Sequence, residues 1–246
     1  MKNSKKYFMI TLIVILTVCL ISLVTIYIVK KTRTTGIKSP DIYIEKTVEE
    51  SNRKNKTSFK DDVVKISNKY PEAKAWIKIP GTKIDYPIFQ TTDNEKYISL
   101  DRDGNKYKWG EIFLDYRSDI TDLKSKEIKN SIIYGHNTTR DSYFTELTKY
   151  KDASFFEKNN IIYLSTKDKD YKLKIISAYE TDTNFYYIDT NFKNSDEYAQ
   201  FLYKIETKSI NPSDISLIGD EGIVTLSTCI EGNENKRFAV HAIIID

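Results

Sequence analysis

Outside an apolar run near its start, the chain carries one thiol, Cys229, and two imidazoles, His136 and His241. A thiol becomes a useful nucleophile only when a neighbour takes its proton or stabilises its thiolate. A neutral imidazole can take that proton. Cys229 closes the apolar segment IVTLSTC and is followed by the polar stretch IEGNENK, after which Arg237 opens RFAVHAIIID. With both segments as strands, Cys229 and Arg237 flank one hairpin, and pairing brings their ends together. An arginine there is always cationic and offers forked donors. It can lower a thiol pKa or hold the oxyanion of a tetrahedral intermediate. His136 follows SIIYG, at a strand end opening into a loop, where a rigid support can expose a reactive side chain. His241 sits mid-segment with little polar company and reads as a half-buried, hydrogen-bonded strand residue. Plainer readings stand beside these. A lone thiol is more often a small buried hydrophobe, and an arginine at a strand start is often a surface charge. A Cys–His pair by itself is a weak signal.

The elements that must position these groups are short and β-rich. WIKIPGTKIDYPIF reads as two strands around a Pro-Gly turn. Further strands are expected at EIFLDY (111–116), SIIYG (131–135), IIYLST (161–166), YKLKIISAYET (171–181), IVTLSTC (223–229) and RFAVHAIIID (237–246). About eight short strands predict a closed barrel or a sandwich. Helical patterns interrupt them at SYFTELTKY and the segment up to Lys158. Another lies in SDEYAQFLYKIETKS, where Tyr198, Phe201, Leu202 and Ile205 form one apolar stripe that predicts packing on the barrel. An earlier helix is expected in SFKDDVVKISNKYP, capped by Ser58 and ended by Pro71.

Residues Phe8 to Val29 contain no charge, and as a helix they span roughly 33 Å, enough to cross a bilayer. The run is longer than a signal-peptide core and lacks a small-residue cleavage site. The expected organisation is therefore a short N-terminus (1–7), a transmembrane anchor (8–29), a partly helical stalk (30–57) and a folded domain (58–246). Cys19 falls inside the anchor, so no disulfide with Cys229 is expected. Lys and Arg number 38 against 35 Asp and Glu, a net charge of +3, too even to suggest nucleic-acid binding. His and Cys are too few for a zinc site. The acidic pairs Asp61/Asp62 and Asp101/Asp103 read as solvated turns.

TLSTC followed eight residues later by Arg237, with YGHN upstream, resembles the sortase signature. WIKIPGTKIDYPIFQ followed by FLDYR resembles the first half of the class B sortase domain. FYYIDTNF and the helix around Phe201 resemble the class B insertion before the Cys strand. The resemblance covers residues 59 to 246. It implies a mainly β fold, an eight-stranded barrel with N-terminal helices and a helical insertion, and no cofactor. It implies Cys229 as nucleophile, His136 as acid/base and Arg237 as third essential residue, with Ser227, Tyr187, Ile188 and Thr183 lining a peptide groove. His241 matches no catalytic position.

The implied reaction is acyl transfer. Cys229 attacks the carbonyl after the Thr of a C-terminal sorting signal, of NPxTx or xPxTG type, and an amine of a peptidoglycan precursor resolves the thioester. The implied partners are surface proteins bearing that signal, on the wall side of a single-pass membrane protein. Reference pKa values of about 8.5 for a thiol and 6.5 for an imidazole make the neutral pair dominant near pH 7. Two alternatives remain: a hydrolytic cysteine peptidase with the same pair, and a non-catalytic anchored β-domain that binds the wall.

Overall fold

The computed structural model describes residues 55–123, 128–138, 142–230 and 233–246, with Ser22, Thr25 and Arg53 besides. The chain forms two compact units, residues 1–53 and 54–246. The expected span Phe8–Val29 lies outside the described residues except for Ser22 and Thr25, both helical. Among the described residues no helix is long and apolar enough to cross a membrane.

The larger unit begins with α1 (Lys60–Lys69), followed by β1 (Ala73–Lys78) and β2 (Asp85–Phe89) around the Pro-Gly turn. Next come α2 (Lys96–Ser99), β3 (Phe113–Leu114) and β4 (Asn130–Tyr134). A 3-10 turn (Thr145–Lys151) and α3 (Ala153–Lys158) lead to β5 (Ile161–Thr166) and β6 (Asp170–Asp182). The chain ends with α4 (Ser195–Thr207), β7 (Ile223–Ile230) and β8 (Asn233–Ile244). The eight strands close into a barrel in the order β1-β2-β3-β4-β7-β8-β6-β5, which settles barrel over sandwich.

Strand side chains alternate between two faces, and β8 shows what each face meets. Phe238, Val240 and Ala242 join Ile77, Ile88, Leu114, Ile133, Leu164 and Leu226 in an interior drawn from every strand. Ala239 and Ile243 point the other way, into a second layer with Ile176, Tyr179 and the α4 stripe Tyr198, Phe201, Leu202 and Ile205. The stripe packs on the barrel as its spacing predicts. Asn194 caps α4 by accepting the Glu197 amide, and Glu197 reaches back to the Lys193 amide.

Three local expectations need correction. EIFLDY is a strand only at Phe113–Leu114, because Asp115 turns the chain away, its side chain accepting the Arg117 amide and its carbonyl the Ser118 amide. Ser58 does not cap α1. The N-cap is Phe59, whose amide donates to Ser165 Oγ and whose ring stacks on Trp76, so tertiary contacts start that helix. His241 is wholly buried rather than half-buried, because the α4 layer covers the outer face of β8.

His241 anchors a directed hydrogen-bond chain. Asn130 Nδ2 donates to the Tyr187 and Asp189 carbonyls, leaving Asn130 Oδ1 to accept from Thr225 Oγ1 at 2.6 Å. Thr225 then accepts from His241 Nδ1, and His241 Nε2 accepts from the Tyr179 hydroxyl, both at 2.8 Å. This ring is neutral, and burial pushes its pKa down to about 3. The unfolded chain takes up a proton near pH 6.5 that the native chain refuses, so stability falls as pH drops below 6.5. The slope from one such group is about 1.4 kcal/mol per pH unit. His241→Asn keeps a donor for Thr225 but does not titrate. Urea unfolding from pH 7 to 4.5 should give a flatter pH dependence for the variant by about that slope; parallel curves would show that His241 does not carry the linkage.

Candidate active site

β4, β7 and β8 lie side by side, and their register assembles the candidate groups. β7 and β8 are antiparallel with Cys229 directly opposite Arg237. Opposed residues present their side chains on the same face of a sheet. The ladder is broken immediately after Cys229, where the partner jumps from Arg237 to Asn233, a bulge of the kind that re-aims side chains beside sites. β4 runs parallel to β7 with Tyr134 opposite Ser227, and the Gly135 amide donates to the Ser227 carbonyl at 3.1 Å. Carried two residues further, that register sets His136 level with Cys229. The ends of β4 and β7 and the first half of β8 therefore bring His136, Cys229 and Arg237 abreast. Cys229 and Arg237 are both partly buried, and one Arg237 nitrogen donates to the Lys236 carbonyl at 3.0 Å.

The chain around His136 is held firmly. A Cβ on Gly135 would sit 2.7 Å from the Phe144 ring, so glycine is what allows the strand to pass this close. The His136 carbonyl accepts the Phe144 amide at 3.0 Å, and Asn137 bridges to Tyr143, folding the following loop back. The His136 ring meets Trp109 edge to face at 6.0 Å. Its Nε2 lies 2.8 Å from the Ile98 carbonyl. A carbonyl only accepts, so Nε2 carries the hydrogen and Nδ1 keeps the basic lone pair. Burial lowers the imidazole pKa, and Lys108 adds to that, while the Ile98 bond opposes it. The neutral, proton-accepting form is therefore favoured.

A cleft of about 360 Å³ opens over these groups. It is lined by His136, Cys229 and Arg237 with Ser227, Thr228, Gly135, Tyr134, Phe113, Asn94 and Ile98. Of the groove residues expected from the resemblance, Ser227 is in the lining. Tyr187 is buried behind it, with its hydroxyl 2.7 Å from Ser227 Oγ. Ile188 is partly buried against the α4 layer, outside the cleft lining. Thr183 is exposed past the end of β6, its amide bonded to the Asn235 carbonyl. Asn94 and Ile98 were missed, because the stretch before and within α2 has no periodicity or motif to mark it. Tyr134 was legible in principle, two residues before His136 in YGHN. Among the described residues no cluster of His, Cys, Asp and Glu is arranged to hold a metal ion. Asp101 accepts the Asp103 and Asn105 amides in a turn.

A sequence model of the sortase domain matches residues 77–244. The chain belongs to the sortase family. Sortase B of Staphylococcus aureus is 38% identical to it over 172 residues, 69% of each chain. Sortase B of Listeria monocytogenes is 38% identical over 154 residues, 63% of this chain and 61% of that one. The solved S. aureus sortase B–substrate complex aligns with a TM-score of 0.70 at 34% identity, covering 80% of this chain and 89% of that one. Clostridium perfringens sortase B aligns with a TM-score of 0.69 at 32% identity, covering 74% and 99%. The sortase is thus of class B, its barrel is the sortase barrel, and it is a cysteine transpeptidase.

Proposed function

We propose that this sortase cleaves a C-terminal sorting signal of NPxTx or xPxTG type after its Thr, and joins the surface protein to an amine of a peptidoglycan precursor. The observation that carries the reading is the level placement of His136, Cys229 and Arg237 along one open cleft. Cys229 Sγ attacks the carbonyl carbon of that Thr and passes its proton to His136 Nδ1. Arg237 holds the oxyanion that forms. The C–N bond breaks, His136 returns the proton to the departing amine, and a thioester remains on Cys229. An incoming amine loses a proton to His136, attacks the thioester and releases the thiol. Thiolate leaves readily, so an amine competes with water at this step. Ser227 lines the peptide groove with Tyr187 fixing its hydroxyl, and Ile188 and Thr183 extend that groove.

The test is a panel of NPxTx and xPxTG peptides offered to the enzyme with and without an added amine, products being weighed by mass spectrometry. Cleavage after Thr with amine-joined product is expected. Hydrolysis alone, even at high amine, would make the enzyme a peptidase; no cleavage of any peptide would sink the reading. Phe8–Val29 anchors the chain, residues 30–57 form the stalk, and 58–246 work on the wall side. Protease added to intact protoplasts should remove the domain. Protection until lysis would reject that orientation.

A further inference from the structure

Asp115 lies just past β3 with its carboxylate wholly buried, outside the His136–Cys229–Arg237 group. Its oxygens accept five hydrogen bonds. Oδ1 accepts from the Arg117 amide and Arg117 Nε, each at 2.9 Å. Oδ2 accepts from Arg117 Nη2 at 2.8 Å, Asn94 Nδ2 at 3.0 Å and the Tyr134 hydroxyl at 3.0 Å. A buried carboxylate is costly unless paired and bonded, and here its acceptor capacity is filled.

The partners fall on separate segments. Asn94 and Tyr134 line the cleft, one ahead of α2 and one at the end of β4. Asn94 is gripped at both ends, since its Oδ1 also accepts the Tyr116 amide at 3.0 Å. Arg117 does not line the cleft. It reaches instead to the Ile188 carbonyl at 3.3 Å and the Tyr186 hydroxyl at 3.5 Å, on the segment between β6 and α4. One carboxylate thus ties one wall of the cleft to the insertion. The contacts that orient the His136 ring, to the Ile98 carbonyl and Trp109, do not involve Asp115. α2, which carries Ile98, is held by the Glu111 amide on the Tyr97 carbonyl and by Lys96 on Glu72.

We propose that Asp115 is a positioning residue for substrate binding: it holds Asn94 and Tyr134 in the cleft wall and, through Arg117, locks the Tyr186–Ile188 segment against them. The proposal rests on the reading of the cleft as the peptide site. Loss of the hub loosens the groove and leaves the reacting groups in place, so it changes KM rather than kcat.

The test uses the full-length chain in detergent with the best peptide of the panel. Asp115→Asn keeps the shape and removes the charge. Arg117→Gln, outside the cleft lining, removes the carboxylate's counter-charge and the reach to the Tyr186–Ile188 segment, and decides the matter if Asp115→Asn does not fold. Each should raise KM about tenfold while kcat stays within about threefold, and the rate of Cys229 alkylation should match the parent. Peptide binding to Cys229→Ala, alone and with each hub variant, separates the two layers of inference. A folded hub variant that binds as tightly as Cys229→Ala alone overturns the role of Asp115. So does an equal loss of kcat with altered alkylation, which would place Asp115 in support of the reacting groups. A Cys229→Ala chain that binds no peptide overturns the peptide-site reading and this one with it.

Discussion

Cys229→Ala and His136→Ala should each all but abolish turnover of the sorting peptide. The first removes the only described thiol at the cleft, so no thioester can form. The second removes the proposed proton carrier, a loss of about 10²–10⁴-fold by the usual contribution of general acid–base catalysis. The two act as a unit, so the double variant should be no slower than Cys229→Ala alone. The parent has a further signature. His136 must be neutral to accept a proton, and burial holds its pKa below the usual imidazole value. The acid limb of kcat/KM should therefore lie below about pH 6.5. Turnover surviving in Cys229→Ala would remove Cys229 from the chemistry. An acid limb above 6.5 would show that His136 does not act as a neutral base with a lowered pKa.

Arg237→Lys should cost about 2.7–4 kcal/mol of transition-state stabilisation, or roughly two to three powers of ten in kcat/KM. Lys keeps the positive charge but loses the planar fork of donors. The cross-strand pairing with Cys229 puts the Arg237 backbone in the right place whichever side chain it bears. The substitution therefore separates directed hydrogen bonding from mere charge. If Arg237 only favours the thiolate electrostatically, Lys retains most activity, and the pH profile of Cys229 alkylation is where its effect would appear. Near-parental turnover with an unshifted alkylation profile would sink the oxyanion role.

Much of the site was readable before folding because its signals are local. Apolar runs of strand length placed β4 to β7 closely but began β8 four residues late, at Arg237 rather than Asn233, because its polar first residues carry no apolar signal; the i, i+3, i+4, i+7 stripe of α4 identified the four residues that it buries. Cys229 and Arg237 were recognisable as neighbours since a short polar stretch between two strands makes a hairpin. Local patterns misled where tertiary contacts override them. Asp115 ends its strand to satisfy its own turn, and Phe59 rather than Ser58 starts α1 because its ring has Trp76 to stack on.

Residue order and period determined which segments are strands, which face of each is apolar, and which residue types stand at the strand ends. They did not determine that β4 lies parallel to β7, the pairing that carries His136 from far upstream to the level of Cys229. Nor did they reveal that the Ile98 carbonyl fixes the imidazole tautomer, that α4 seals His241 from water, or that Asp115 binds the cleft wall to the insertion. The reason is physical. A strand's periodicity encodes its buried face but not its neighbour; the neighbour follows from which arrangement closes all eight strands around one apolar interior, a property of the whole chain.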